Sequence, residues 1–129
     1  MPRRISVYVK EFQHKNPIPN ACRIGNLLMT GVINGVDPAT GKVPPTLDEQ
    51  CVFLFDMMRR IVEAGGGTTD DIIKMTVWMQ DPSQRQPLNR EWVKMFPDDA
   101  TRPTRHTMQR NMEGATLIQC DFTAVIDPK

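Results

Sequence analysis

Among the chemistry-bearing side chains of this 129-residue chain are arginines, of which Arg105 lies in a strand-like segment near the C-terminus. Its planar guanidinium offers two parallel donors that fit a carboxylate and fix both its position and its orientation. The same residue type on a strand is also compatible with a plain solvated arginine. The other reactive groups carry less pattern. Cys22, Cys51 and Cys120 are an odd set with no C-x-x-C pair, which argues against a disulfide framework and a thiolate zinc site. His14 and His106 lie far apart and lack metal-ligand spacing, so no metal is expected. Gly65-Gly66-Gly67 is not followed by the lysine and hydroxyl residue of a phosphate-binding loop, and reads as the stop of a helix.

Bulk properties narrow the classes further. The 16 basic and 15 acidic residues give a net charge of +1, not the basic footprint of a dedicated nucleic-acid binder. Arg102, Arg105 and Arg110 are too few for a basic patch, and one tyrosine with five phenylalanines offers little base stacking. Apolar residues at 40% and charged residues at 24% are ordinary for a folded protein, and the length suits one domain over residues 1–129. The N-terminus lacks the apolar run of a secretory signal, and no stretch approaches a membrane span. A reducing, cytoplasmic setting is therefore expected.

The elements that must position Arg105 follow from periodicity. Ile5, Val7 and Val9 alternate with polar neighbours as in a strand, and residues 27–33 supply a second. Between them, the two prolines of residues 16–20 exclude regular structure. Thr46 and Glu49 form a capping box ahead of Leu47, Cys51, Leu54, Phe55, Met58, Ile61 and Val62, an apolar stripe at helical spacing. Residues 72–79 form a third strand. A second helix over residues 86–96 accommodates Pro87 in its first turn and buries Leu88, Trp92, Met95 and Phe96. Strands over 104–110 and 116–125 close the chain, joined by a turn near Glu113. The order β-β-α-β-α-β-β predicts an α+β sandwich, a mixed sheet with two helices on one face. The uncovered face must meet water, a ligand or another subunit, so an oligomer is expected.

Several segments, in order, resemble one family. Arg23-Ile24-Gly25-Asn26-Leu27-Leu28 is similar to its K-V-G-N-L-L, Thr30-Gly31-Val32-Ile33 to S-G-Q-I, and Asp37-Pro38-Ala39-Thr40-Gly41 to D-P-A-T-G. Thr69-Asp70-Asp71-Ile72-Ile73-Lys74-Met75-Thr76-Val77 resembles L-D-D-V-V-K-T-T-V. Asn89 with Trp92 and Phe96-Pro97 mirrors V-N-x-x-Y-x-x-F-P, and Pro103-Thr104-Arg105 is similar to P-A-R. On these residues the chain resembles the reactive-intermediate deaminase (Rid, YjgF-like) family, also known as endoribonuclease L-PSP. The resemblance implies a chorismate-mutase-like homotrimer with ligand clefts between subunits. It also implies hydrolysis of small enamines and imines, such as 2-aminoacrylate, to keto acids without metal or organic cofactor, with the arginine on the substrate carboxylate.

The resemblance assigns Arg105 and Gln119 to catalysis, and Arg105, Asn89, Thr30, Gly31, Thr107 and Asp121 to binding of a small imino or keto acid. Strand alternation puts Thr107 and Gln109 on the side of Arg105, with His106 and Met108 opposite. Ile118, Cys120, Phe122 and Ala124 form an apolar set, leaving Gln119, Asp121 and Thr123 on the other face, with Cys120 in the core. A hairpin at Glu113 would bring Gln119 and Asp121 beside Arg105 and Thr107. The family glutamate that handles the hydrolytic water aligns with Gln119, which exchanges no proton near neutral pH. The family tyrosine aligns with Ile18, and the family cysteine after the arginine with Thr107. A carboxylate-binding or regulatory homologue that has lost the proton chemistry is therefore the alternative to a deaminase. RNA cleavage or translation inhibition is a third and weaker reading.

Overall fold

The structure, a computed structural model, describes residues 3–127. In chain order the elements are β1 (Ile5–Val7), β2 (Ala21–Ile24), β3 (Leu27–Thr30), β4 (Ile33–Asn34), α1 (Leu47–Ala64), β5 (Ile72–Met79), α2 (Gln86–Met95), β6 (Thr104–Gln109) and β7 (Ile118–Val125). The strands make one mixed sheet in the order β1-β2-β3-β7-β5-β6, with β4 also on β7. This is the expected α+β architecture with two short strands added.

Local signals explain both helices. Thr46 caps α1, its hydroxyl accepting from the Glu49 amide at 3.2 Å. The Glu49 carboxylate accepts from that hydroxyl at 2.8 Å instead of reaching a backbone amide. The glycine triplet ends the helix as expected: Gly66 takes a φ of 94°, and the Gly67 amide bonds back to the Val62 carbonyl at 2.9 Å. In α2, Pro87 sits in the first turn, where a missing amide costs nothing. Leu54, Met58 and Ile61 of α1 and Leu88 of α2 are fully buried, as are Met75, Val77, Ile118 and Cys120 of the sheet.

The structure corrects the strand reading in three places. The expected strand over 27–33 is broken into β3 and β4, and both pieces pair with β7. At the break the Thr30 hydroxyl accepts from the Phe122 amide at 3.0 Å and donates to the Gly31 carbonyl at 2.8 Å. A side chain thus replaces one rung of the ladder. The first strand stops at Val7, and Lys10–Phe12 forms a 3-10 turn, because the Asn20 side chain takes the Val9 amide at 2.8 Å.

The third correction concerns β6 and β7. They do not form a hairpin, because β5 lies between them, parallel to β6 and antiparallel to β7. A strand–helix–strand unit places its second strand parallel to the first. β6 pairs with β5 alone and leaves its outer edge free, while β7 lies on the far side of β5.

Candidate active site

Arg105 lies on β6, the edge strand. Met75 of β5 pairs with Arg105 on one side and with buried Phe122 on the other, so these three side chains share the helix-covered face. Being on the edge, Arg105 slips its guanidinium beside α2. Its Nη2 donates to Asn89 Oδ1 at 2.7 Å, and its central carbon stands 5.0 Å from the centre of the Trp92 ring. Trp92 is held in turn by an edge-on contact with Phe96, ring centroids 5.0 Å apart. Asn89 and Trp92 are three apart on α2, so one helix face supplies both contacts. Trp92, which the sequence reads as part of the buried stripe of α2 and of a family motif, thus borders Arg105.

The remaining nitrogen defines the site. Arg105 Nη1 is buried and makes no hydrogen bond, the single such side-chain atom among the described residues. Among these residues the ion pairs engage Arg59, Arg60, Arg90 and Lys94, but not Arg105. Burial, and after it the charge of Arg85, hold the Arg105 pKa below its ordinary value, yet an arginine stays cationic at neutral pH. A half-buried cation with a buried, unused donor is costly unless an anion completes it. Its planar fork suits a carboxylate.

Thr107 follows on the same face of β6, as alternation requires, and is half-buried. The other expected site residues lie elsewhere. Asp121 pairs across β5 with Thr76 and His106, and Gln119 with Trp78 and Met108, so both project from the face opposite Arg105. The expected convergence of the two polar strand faces is therefore overturned. Alternation was correct on each strand, but the shared face was wrong because β5 intervenes. Asp121 does not pair with Arg105 within the chain. Burial raises its pKa, while the Thr76 hydroxyl and Lys74 partly oppose that. Gln119 donates to Asn34 Oδ1 at 2.8 Å. Thr30 and Gly31 sit at the β3–β4 break, three strand spacings from β6, roughly 14 Å at 4.7–4.9 Å per spacing. One small ligand cannot touch Arg105 and these residues in the same chain.

His106 shares the open face with Asp121, as alternation implied, and His14 is exposed. Cys120 is fully buried with its thiol pKa well raised, and burial pushes Cys51 up to about 12, so neither is a ready nucleophile. No helix among the described residues is long and apolar enough to cross a membrane.

The sequence profile of the family described as Endoribonuclease L-PSP matches residues 6–125. The chain belongs to that family. The Rid relatives it resembles include the 2-iminobutanoate/2-iminopropanoate deaminase of Escherichia coli strain K12, 31% identical over 94 residues, 72% of this chain and 73% of that protein. A RutC family protein of Haemophilus influenzae is 32% identical over 83 residues, which is 64% of each chain and so just under two thirds of that relative's length. The crystal structure of the YjgF gene product of Escherichia coli superposes with a TM-score of 0.83 at 26% identity, covering 94% of this chain and 98% of that one. Escherichia coli TdcF, solved with bound serine, has the same fold, with a TM-score of 0.85 at 24% identity over 95% of this chain and all of that one.

Proposed function

We propose that this protein hydrolytically deaminates small reactive enamine and imine intermediates of the 2-aminoacrylate type, with Arg105 holding the substrate carboxylate. The observation that carries the reading is the buried, unpartnered Nη1 of Arg105. Asn89 fixes the guanidinium plane through Nη2, and Trp92 supports its face, so a carboxylate docking on the free donors is oriented before any chemistry. Water then adds to the imine carbon, a proton moves to nitrogen, and the resulting carbinolamine expels ammonia to leave the keto acid. The deaminase named among the relatives supports this reaction class.

The reading places the site between two copies of the chain in a homotrimer. Arg105, Asn89 and Thr107 come from the helix-covered edge of one copy, and Thr30, Gly31, Gln119 and Asp121 from another. Their separation within one chain supports this arrangement, as do Ile24, Leu27, Met29 and Val125, which leave part of the sheet apolar and exposed. No metal or organic cofactor enters the scheme.

One observation favours a second reading, a carboxylate-binding homologue without turnover. Gln119, to which the resemblance assigns the place of the proton-handling glutamate, has its amide engaged with Asn34. An imino acid generated in situ separates the two. Faster keto-acid release with the protein than without it supports deamination. Unchanged release, combined with protection against thermal unfolding by 2-oxobutyrate, leaves the binding reading and removes the enzymatic one.

A further inference from the structure

A second guanidinium flanks the Arg105 site. Arg85 occupies the N-cap position of α2, and the Asn89 amide bonds to its carbonyl at 2.8 Å. Arg85 and Asn89 therefore stand about one turn apart on the same side of the helix, about 6 Å along its axis. Asn89 touches Arg105, so Arg85 is the next side chain along the face that borders edge strand β6. The two charges are near enough for that of Arg85 to act on Arg105. Arg85 is exposed, and its Nε donates to the Pro82 carbonyl at 2.9 Å, which fixes the base of the fork.

The rest of α2 behaves differently. Arg90 pairs with Asp48 and Glu91, and Lys94 also pairs with Glu91. Arg85 enters no ion pair among the described residues. The nearby Asp81 carboxylate is taken by the Ser83 amide and hydroxyl at 3.0 and 2.6 Å. Two like charges are thus held on one face with no acid between them. That arrangement opposes folding slightly and favours a ligand bearing two negative groups.

We propose that Arg85 makes this site selective for dicarboxylic imino or keto acids, one carboxylate on Arg105 and the second on Arg85. The inference rests on the reading of Arg105 as a carboxylate site and specifies the substrate class for it. A monocarboxylate satisfies Arg105 and leaves Arg85 in water. A dianion of four or five carbons engages both.

The test titrates the intact protein calorimetrically with oxaloacetate, 2-oxoglutarate and 2-oxobutyrate. One of the dianions is expected to bind about tenfold tighter than 2-oxobutyrate, the effect of one added charge-assisted contact. That preference should weaken as salt rises, because Arg85 is exposed. Arg85→Ala should bring the dianion-to-monoanion affinity ratio to about one, and Arg85→Lys should restore part of it. Equal binding of both ligand types by the intact protein, or a ratio untouched by Arg85→Ala, overturns the inference while leaving Arg105 as a carboxylate site. Acid binding unchanged in Arg105→Ala, or no binding of any acid by the intact protein, instead overturns the reading of Arg105 itself.

Discussion

Replacing Thr30 by valine isolates a hydroxyl that the family resemblance assigns to substrate and the structure assigns to the sheet. Valine has nearly the same shape, so no cavity opens. The change removes two bonds, the one accepted from the Phe122 amide at 3.0 Å and the one donated to the Gly31 carbonyl at 2.8 Å. Phe122 is buried in β7, and its amide would lose its partner at the point where β3 and β4 part. Orphaning such a donor costs about 1–3 kcal/mol, and the half-buried Gly31 carbonyl adds up to about 1 kcal/mol. The expected loss is about 2–3 kcal/mol, a large share of the roughly 5–15 kcal/mol that holds a domain together. Urea denaturation with an unchanged m-value would read it as a lower midpoint. Thr30→Ser keeps the hydroxyl and should recover most of the loss. A Thr30→Val midpoint within error of the parent, alongside loss of carboxylate binding, would refute this reasoning and make the hydroxyl a ligand group alone.

Four further outcomes follow from the packing and the charges. Gln50 is fully buried, donating to the Pro44 and Ala115 carbonyls at 2.9 and 2.8 Å and accepting from the Leu117 amide at 2.9 Å. Gln50→Leu should therefore destabilise by about 3–5 kcal/mol in thermal or urea unfolding, because three backbone groups lose partners. Asp121 has a raised pKa in the fold, so its ionisation opposes folding: stability from this group is complete below about pH 4 and declines as pH rises through the folded value. Asp121→Asn should be neutral to slightly stabilising at pH 7, with the difference from the parent vanishing in acid. Burial raises the Cys51 thiol to about 12, so between pH 9 and about 12 the unfolded chain releases a proton that the folded one keeps, and stability falls. In the folded protein, iodoacetamide at pH 8 should label half-buried Cys22 and spare Cys51 and Cys120, as peptide mapping would show.

Much of this arrangement was legible in the residues, and what escaped has a common cause. Thr46 with Glu49, the apolar stripe of α1 and the glycine stop are local signals. The Thr46 cap and the glycine stop form as expected, while Glu49 turns to the Thr46 hydroxyl instead of a backbone amide. Arg105 and Asn89 stood out through an ordered set of motifs, and the structure brings them into contact. The shared face of Arg105 and Gln119 depends on which strand lies next to which, a non-local fact that alternation does not report. The β5–α2–β6 unit signals a parallel β5–β6 pair, but not which free edge the next strand takes. Strand β2 escaped because it has four residues and follows a proline-rich loop. Arg85 was visible only as the helix position four before Asn89, a spacing that gains meaning once Asn89 is known to touch Arg105.

Calorimetric titration of 2-oxobutyrate into the parent protein and into Arg105→Ala decides whether Arg105 holds the carboxylate. Saturable binding to the parent and none to the variant is expected, with the variant still folded by circular dichroism because Arg105 enters no ion pair among the described residues. Undiminished binding by a folded Arg105→Ala would contradict that role.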